Sequence, residues 1–191
     1  MTGGIGSGKT TVCRLFEVLG APVYYADDRA KELMVEDSGL AHSIRSAFGN
    51  GTYKDTGELD RGFLAQQVFH DPDKLALLDA LVHPAVQRDF DQWVIEQRAP
   101  YVIKEAALIY EAGSDKSLDA VIVVMASEEE RIGRIMHRDG VTREDVLSRM
   151  KNQWLQEEKV KRADFVIYND GQQLVIPQVL AIHHELSVVG G

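Results

Sequence analysis

Residues 3–10 read Gly-Gly-Ile-Gly-Ser-Gly-Lys-Thr and match G-x-x-x-x-G-K-[ST] at every defined position. Four glycines among eight residues cannot make a packed core. They let the backbone turn tightly, so that successive N–H groups face one concavity and hold phosphate oxygens. A helix starting near Lys9 adds its positive N-terminal end. On this reading Gly4, Ile5, Gly6, Ser7 and Gly8 form the cradle. Lys9 reaches the β- and γ-phosphates, the Thr10 hydroxyl ligates Mg²⁺ and Thr11 lies at the α-phosphate. The ligand is a nucleoside triphosphate; the loop says nothing of an acceptor. The alternative is a glycine-rich turn without a ligand.

Composition narrows the partners. The 191 residues carry a net charge of −9, which argues against a basic nucleic-acid-binding surface but leaves room for a local basic cleft. A hydrophobic content of 45% suits one globular domain over residues 1–191. The single cysteine, Cys13, cannot form an intramolecular disulfide. No run approaches the ~18 apolar residues that cross a bilayer, and no signal peptide is evident, so the expectation is a soluble cytoplasmic protein without membrane partners. Oligomeric state is not readable.

Val12, Leu15, Phe16 and Leu19 have helical spacing after the loop. "PVYYA" (22–26), "YVIKEAALIY" (101–110), "AVIVVMA" (120–126) and "DFVIYN" (164–169) read as strands. "GNGTYKDTGELD" (49–60) reads as a surface crossing. Residues 61–98 read as helices punctuated at "HDPD" (70–73), with Asp71 as cap, and at "HPAV" (83–86). "SEEE" (127–130) and "TRED" (142–145) are capping patterns, and residues 173–186 close the chain as a helix. Alternating strands and helices predict a doubly wound parallel α/β sheet. Only Met1 and Thr2 precede the loop, so its strand is either very short or entered midway.

Asp27 follows "PVYYA", at the strand edge where ligands bind, and is either a base for an attacking hydroxyl or a helix cap, a role open equally to Asp28. Glu105 and Glu111 are alternative holders of Mg²⁺ through water, or solvated strand-end carboxylates. Arg131, Arg134 and Arg138 share a helix face, and residues 131–151 hold six Lys/Arg against three Asp/Glu. That reversal suits a mobile arginine lid over transferring phosphates, or an ordinary charged surface. Val146, Leu147, Met150 and Trp154 read as the apolar side of one helix, flanked by Arg149 and Gln153. His83 reads as a helix-boundary residue, and His183-His184 as structural.

The segments "TGGIGSGKT", "GAPVYYADDRAKEL", "LVHPAV", "EAALIYE", "RIMHRDGVTREDVLSRMKNQ" and "ADFVIYNDG" occur in this order. Together they resemble the dephospho-CoA kinase family over nearly the whole chain. The resemblance implies a phosphate-loop NTPase-type, doubly wound parallel five-stranded sheet with helices on both faces, a lid near 131–151 and a helical acceptor-side region near 61–98. It implies phosphorylation of the ribose 3′-hydroxyl of dephospho-CoA by ATP with Mg²⁺, the last step of coenzyme A biosynthesis, without nucleic acid. By the same resemblance Asp27 activates the hydroxyl, Arg138 meets the transferring phosphate, Arg149 and Asn169 lie on the ATP side and His83 lies toward the acceptor. Tyr25, Glu105 and Ala107 depart from the family pattern, standing for aspartate, aspartate and proline. The rivals are another small-molecule kinase and a nucleotide switch; the guanine motif N-K-x-D is absent from the chain.

Overall fold

The computed structural model describes residues 1–69 and 71–189, so His70 of the "HDPD" turn lies outside the described residues. The chain forms two compact units, Met1–Tyr24 with the chain from Arg98 onward, and Tyr25–Gln97.

The first unit is α/β. Helix α1 (Lys9–Val18) buries Val12 and Phe16 of the expected stripe and Cys13 beside them, whereas Leu15 is half-buried and Leu19 is the residue just past the helix. Strand β1 (Val23–Tyr25), whose last residue opens the second unit, pairs with β2 (Ile103–Glu105). Strand β3 (Ile122–Met125) pairs in parallel with β4 (Phe165–Tyr168), Ile122 opposite Phe165 and Met125 opposite Tyr168. Val123 and Val124 are both fully buried, as a strand covered on both faces requires.

Among the described residues two two-stranded sheets thus stand where a five-stranded one was expected. The two residues ahead of the loop join them. The Met1 amine donates to the Lys104 carbonyl at 2.5 Å, and the Ala106 N–H donates to the Met1 carbonyl at 3.1 Å. On the other side the Thr2 N–H donates to Ile122 and the Val124 N–H to Thr2, both at 2.8 Å. Gly3 ends this pairing: its φ of +151° belongs to glycine, and a Cβ there would strike the Val124 carbonyl.

Helix α6 (Glu128–Asp139) begins at a reciprocal capping box between Ser127 and Glu130, and α7 (Arg143–Met150) at one between Thr142 and Asp145. Ile132, Ile135 and Val146 form a buried cluster between these helices, against which Ile5, Val141, Leu147 and Met150 pack. Trp154 and Gln153 lie beyond α7, so they do not belong to its apolar side or flank. Trp154 instead stacks on Tyr110, centroids 6.1 Å apart, with the Arg162 guanidinium 4.6 Å from its ring centre. The unit continues through α8 (Gln156–Val160) to α9 (Val175–Val189).

The second unit is helical: α2 (Ala26–Glu36), α3 (Ser38–Phe48), α4 (Arg61–Val68) and α5 (Pro72–Glu96). Asp71 caps α5 by accepting from the Lys74 N–H at 3.1 Å, with Pro72 in the first turn. The helix does not break at "HPAV". It runs through Pro84 because Val82, Ala85 and Val86 are buried there, which offsets the ~3 kcal/mol an internal proline costs. His83 is therefore mid-helix and half exposed, with Asp79 at 3.9 Å. The stretch 49–60 is more than a surface crossing: Thr52, Tyr53 and Leu59 are buried, and the Tyr53 hydroxyl donates to the Met34 carbonyl at 2.7 Å. Arg29 joins α2 to α5 through two bonds to Asp89, at 2.9 and 3.0 Å.

Truncating Ile135, fully buried between α6 and α7, is expected to cost about 2–5 kcal/mol. Urea unfolding of Ile135→Ala beside the parent protein measures it.

Candidate active site

The loop keeps its shape through what lies behind it. Gly8 takes a left-handed conformation (φ 92°, ψ 22°) as α1 starts, and no side chain caps that start. Gly6 is left-handed too, at φ +82°. A Cβ on Gly4 would strike the Arg131 guanidinium, one on Gly6 would lie 2.6 Å from the Arg131 carbonyl oxygen, and one on Gly8 would strike the Asn169 amide. The motif's glycines thus satisfy close approach as well as backbone angles.

Polar side chains brace the same backbone. The Ile5 N–H donates to Gln153 Oε1 at 2.8 Å. Asn169 Nδ2 donates to the Ser7 carbonyl at 2.8 Å. Arg134 reaches the Asn169 carbonyl at 2.8 Å and the Ser7 carbonyl at 3.4 Å. Gln156 Oε1 accepts from the Ala126 N–H at 3.2 Å, fixing the end of β3. Ser7 Oγ is buried without a hydrogen-bond partner.

Lys9 Nζ donates to the Gly3 carbonyl at 3.1 Å and stands 3.8 Å from Glu105 Oε1. Thr10 and Thr11 are exposed. The two carboxylates that the sequence left as alternatives now differ. Glu105 faces Lys9, whereas Glu111 Oε1 is bound to Lys159 Nζ at 2.7 Å and to the Trp154 N–H at 2.8 Å. Lys159 is fully buried and also donates to the Ala107 carbonyl at 2.9 Å. Burial pulls its ammonium pKa down, opposed by the Glu111 carboxylate. Among the described residues no group of three or more His, Cys, Asp and Glu forms a metal cluster.

The three arginines of α6 have separate fates. Arg131 is buried and Arg134 lies on the loop and Asn169, while Arg138 turns outward. Arg138 Nε pairs with Asp139 Oδ1 at 2.6 Å, and Arg149 pairs with Oδ2 of the same carboxylate at 2.9 Å. The guanidinium of Arg138 beside it holds the Asp139 carboxyl below its ordinary range, with Arg149 adding to the effect. Asp27 is an exposed residue in the first turn of α2, in the second unit. Neither it nor Asp28 is the cap; that position is Tyr25, which makes no side-chain capping bond. Asp28 instead pairs with Lys31 at 2.6 Å. The Tyr101 hydroxyl meets His183 Nδ1 at 2.6 Å, and His184 is exposed.

Sequence reading missed Gln156 and Lys159, and named Gln153 only as a flank. Their signal is a polar residue every third position, 153, 156 and 159, directly after the lid helix.

Loop, helix and basic buttress define a phosphate-loop nucleotide-binding protein of the α/β class. The family model of dephospho-CoA kinase matches residues 1–174. Dephospho-CoA kinase of Salinibacter ruber is 42% identical over 174 residues, 90% of this chain and 87% of the relative. That of Chlorobaculum tepidum is 43% identical over 178 residues, 90% and 85% of the two chains. Among solved structures, TT1252 from Thermus thermophilus has a TM-score of 0.83 at 38% identity, covering 97% of this chain and 95% of that one. Dephospho-CoA kinase from Campylobacter jejuni has 0.71 at 27%, covering 100% and 96%. The chain belongs to the dephospho-CoA kinase family.

Two outcomes follow from the buried groups. Burial, with Glu105 adding to it, pushes the Cys13 thiol up to about 12. Only about one molecule in ten thousand is then thiolate at pH 8, so iodoacetamide is expected to modify Cys13 after denaturation and not before, read by mass spectrometry. Replacing Lys159 by methionine strands the Glu111 carboxylate and is expected to lower stability by about 3–5 kcal/mol in urea unfolding.

Proposed function

We propose that this chain transfers the γ-phosphoryl group of ATP to the 3′-hydroxyl of dephospho-CoA, giving coenzyme A and ADP. Membership of the dephospho-CoA kinase family makes it a kinase acting on dephospho-CoA in coenzyme A biosynthesis. The observation that carries the reading is that membership together with the complete loop, in which Lys9 stands between the Gly3 carbonyl and Glu105. The bond from the acceptor oxygen to the γ-phosphorus forms as the bond from that phosphorus to the β-bridging oxygen breaks. Asp27 takes the hydroxyl proton and orients the nucleophile. The loop N–H groups and Lys9 hold the β- and γ-phosphates and spread the developing charge.

The oxygen donors near Lys9 fit a hard cation: the exposed Thr10 hydroxyl would ligate Mg²⁺ directly, and Glu105 through a water. When held there, such a cation would neutralise the negative charge that develops on the transferring phosphates. Arg138 and Arg149 exchange the Asp139 carboxylate for phosphate oxygens, Asn169 and Arg134 support the nucleotide side, and residues 131–151 serve as the lid. The helical segment 61–98 supplies the acceptor side. We read the sheet as five-stranded and doubly wound, with Met1–Thr2 as its middle strand; the hydrogen bonds from these residues to Lys104, Ala106, Ile122 and Val124 support that order.

ADP release from MgATP is expected to depend strongly on dephospho-CoA. Asp27→Asn should lower the acceptor-dependent kcat by about 10²–10⁴-fold. Arg138→Met should lower it by about 10²–10³-fold, with a smaller change in KM for ATP. A coupled ADP assay measures both; equal release with and without acceptor would overturn the reading.

A further inference from the structure

We propose that Asp89, on α5, is a positioning residue for the reaction: through Arg29 it sets the direction in which α2 presents Asp27. The proposal rests on the kinase reading above, in which Asp27 takes the acceptor's proton. All the residues involved belong to the second unit.

Helix α2 starts without a side-chain cap. Its N-cap position is Tyr25, which makes no side-chain capping bond, so no cap fixes the turn that carries Asp27. Exposure follows the helical repeat. Ala26 and Leu33 are buried, Arg29 and Ala30 are half-buried, and Asp27, Asp28, Lys31 and Glu32 are exposed. Asp27 and Arg29 stand about 200° apart around the helix axis. Turning Arg29 toward α5 therefore leaves Asp27 on the side away from it.

Arg29 fixes that rotation by a forked pair. Its Nε donates to Asp89 Oδ2 at 2.9 Å and its Nη2 to Oδ1 at 3.0 Å, so two nitrogens and two oxygens define one relative geometry. Nη1 donates to Glu32 at 2.8 Å and to Glu36 at 2.9 Å, both on α2 itself. Of these bonds, the Asp89 fork crosses to α5. Asp89 is also the strongest cause of the raised Arg29 pKa, ahead of Glu32 and Glu36, with burial opposing them.

A small rotation is enough to matter. A carboxylate about 6 Å from the axis moves about 1 Å when the helix turns by about 10°. Misplacement by ~1 Å can cost about 10²-fold in rate. Asp89 is also the partner that can be removed cleanly. In Asp89→Ala the guanidinium keeps Glu32 and Glu36, so no charge is stranded, whereas removing Arg29 would leave three carboxylates without their shared cation.

Asp89→Ala is expected to lower the acceptor-dependent kcat about tenfold or more, while KM for ATP changes by less than about twofold. A double-mutant cycle with Asp27→Asn separates positioning from general packing. Where Asp89 acts through Asp27, adding Asp89→Ala to Asp27→Asn lowers kcat no further; a packing defect lowers kcat by the same factor in both backgrounds. Equal factors in the two backgrounds would overturn the proposal. So would an unchanged kcat in Asp89→Ala, or a KM for ATP that rises as far as kcat falls. Should Asp89→Ala not fold, Asp89→Asn keeps the side-chain shape and one acceptor oxygen and carries the same cycle, with a first step of about threefold. Failure of the kinase reading is distinct: wild-type protein would then release no ADP in response to dephospho-CoA, or Asp27→Asn alone would leave kcat unchanged.

Discussion

The packing of α6 against the back of the phosphate loop is the contact on which the rest of the site depends. Gly4 and Gly6 lie directly on Arg131, and the Ile5 side chain enters the apolar cluster of Ile132, Ile135 and Val146. One half-buried residue of the loop thus packs against the core of the helical pair that follows β3. The position of α6 is set by its capping box at Ser127 and by Gln156, which holds the Ala126 N–H just before it. The order of dependence runs from sheet to helix to loop. A loop held in this way has its backbone fixed by its protein neighbours, the Ile5 N–H by Gln153 and the Ser7 N–H by the Gly4 carbonyl.

That buttress concentrates positive charge in a chain whose net charge is −9. Each cation is accommodated differently. Lys159, fully buried, is matched by Glu111 and the Ala107 carbonyl. Lys9 stands beside Glu105 yet keeps its ammonium on the loop. Burial lowers the pKa of the Arg131 guanidinium, while Glu128 and Glu157 oppose the shift. Arg138 and Arg149 share Asp139 at the surface, with side chains 64% and 46% exposed. Exposed pairs of that kind contribute little to stability, so the proposed exchange of Asp139 for phosphate oxygens would leave the fold undisturbed. Breaking the Lys159–Glu111 pair costs several times more. The difference separates two surface arginines that share one exposed partner from a lysine that is part of the frame.

Much of this was legible from local rules. The helix start at Lys9, the capping boxes at Ser127 and Thr142, and the Asp71 cap with Pro72 depend on residues a few positions apart, and all formed as read. Errors arose where tertiary packing overrode a local signal. Pro84 lies inside α5 because its neighbours are buried, and no propensity scale contains that burial. Trp154 continues an apolar pattern in sequence, yet the helix ends at Met150 and the ring finds Tyr110 instead. Only residues 103–105 of the run 101–110 are strand, because the chain then turns to bring Ala107 and Glu111 to Lys159. Contacts such as Gln153 with Ile5 span 148 positions and leave no periodic trace.

The departures from the family pattern make sense against the same frame. A proline at position 107 would stiffen the turn after β2 by fixing its own backbone angle. Ala107 lacks that restraint, but its carbonyl accepts from Lys159 Nζ at 2.9 Å and from Thr2 Oγ1 at 3.1 Å. Hydrogen bonds from two distant segments hold the turn that a ring would otherwise hold. Glu105 for aspartate adds one methylene, and its carboxylate still ends 3.8 Å from Lys9 Nζ in a side chain only 9% exposed. The turn at 107 follows Glu105 by two residues, so the bonds that hold it tie Lys159, far from the loop in sequence, to the strand end beside Lys9.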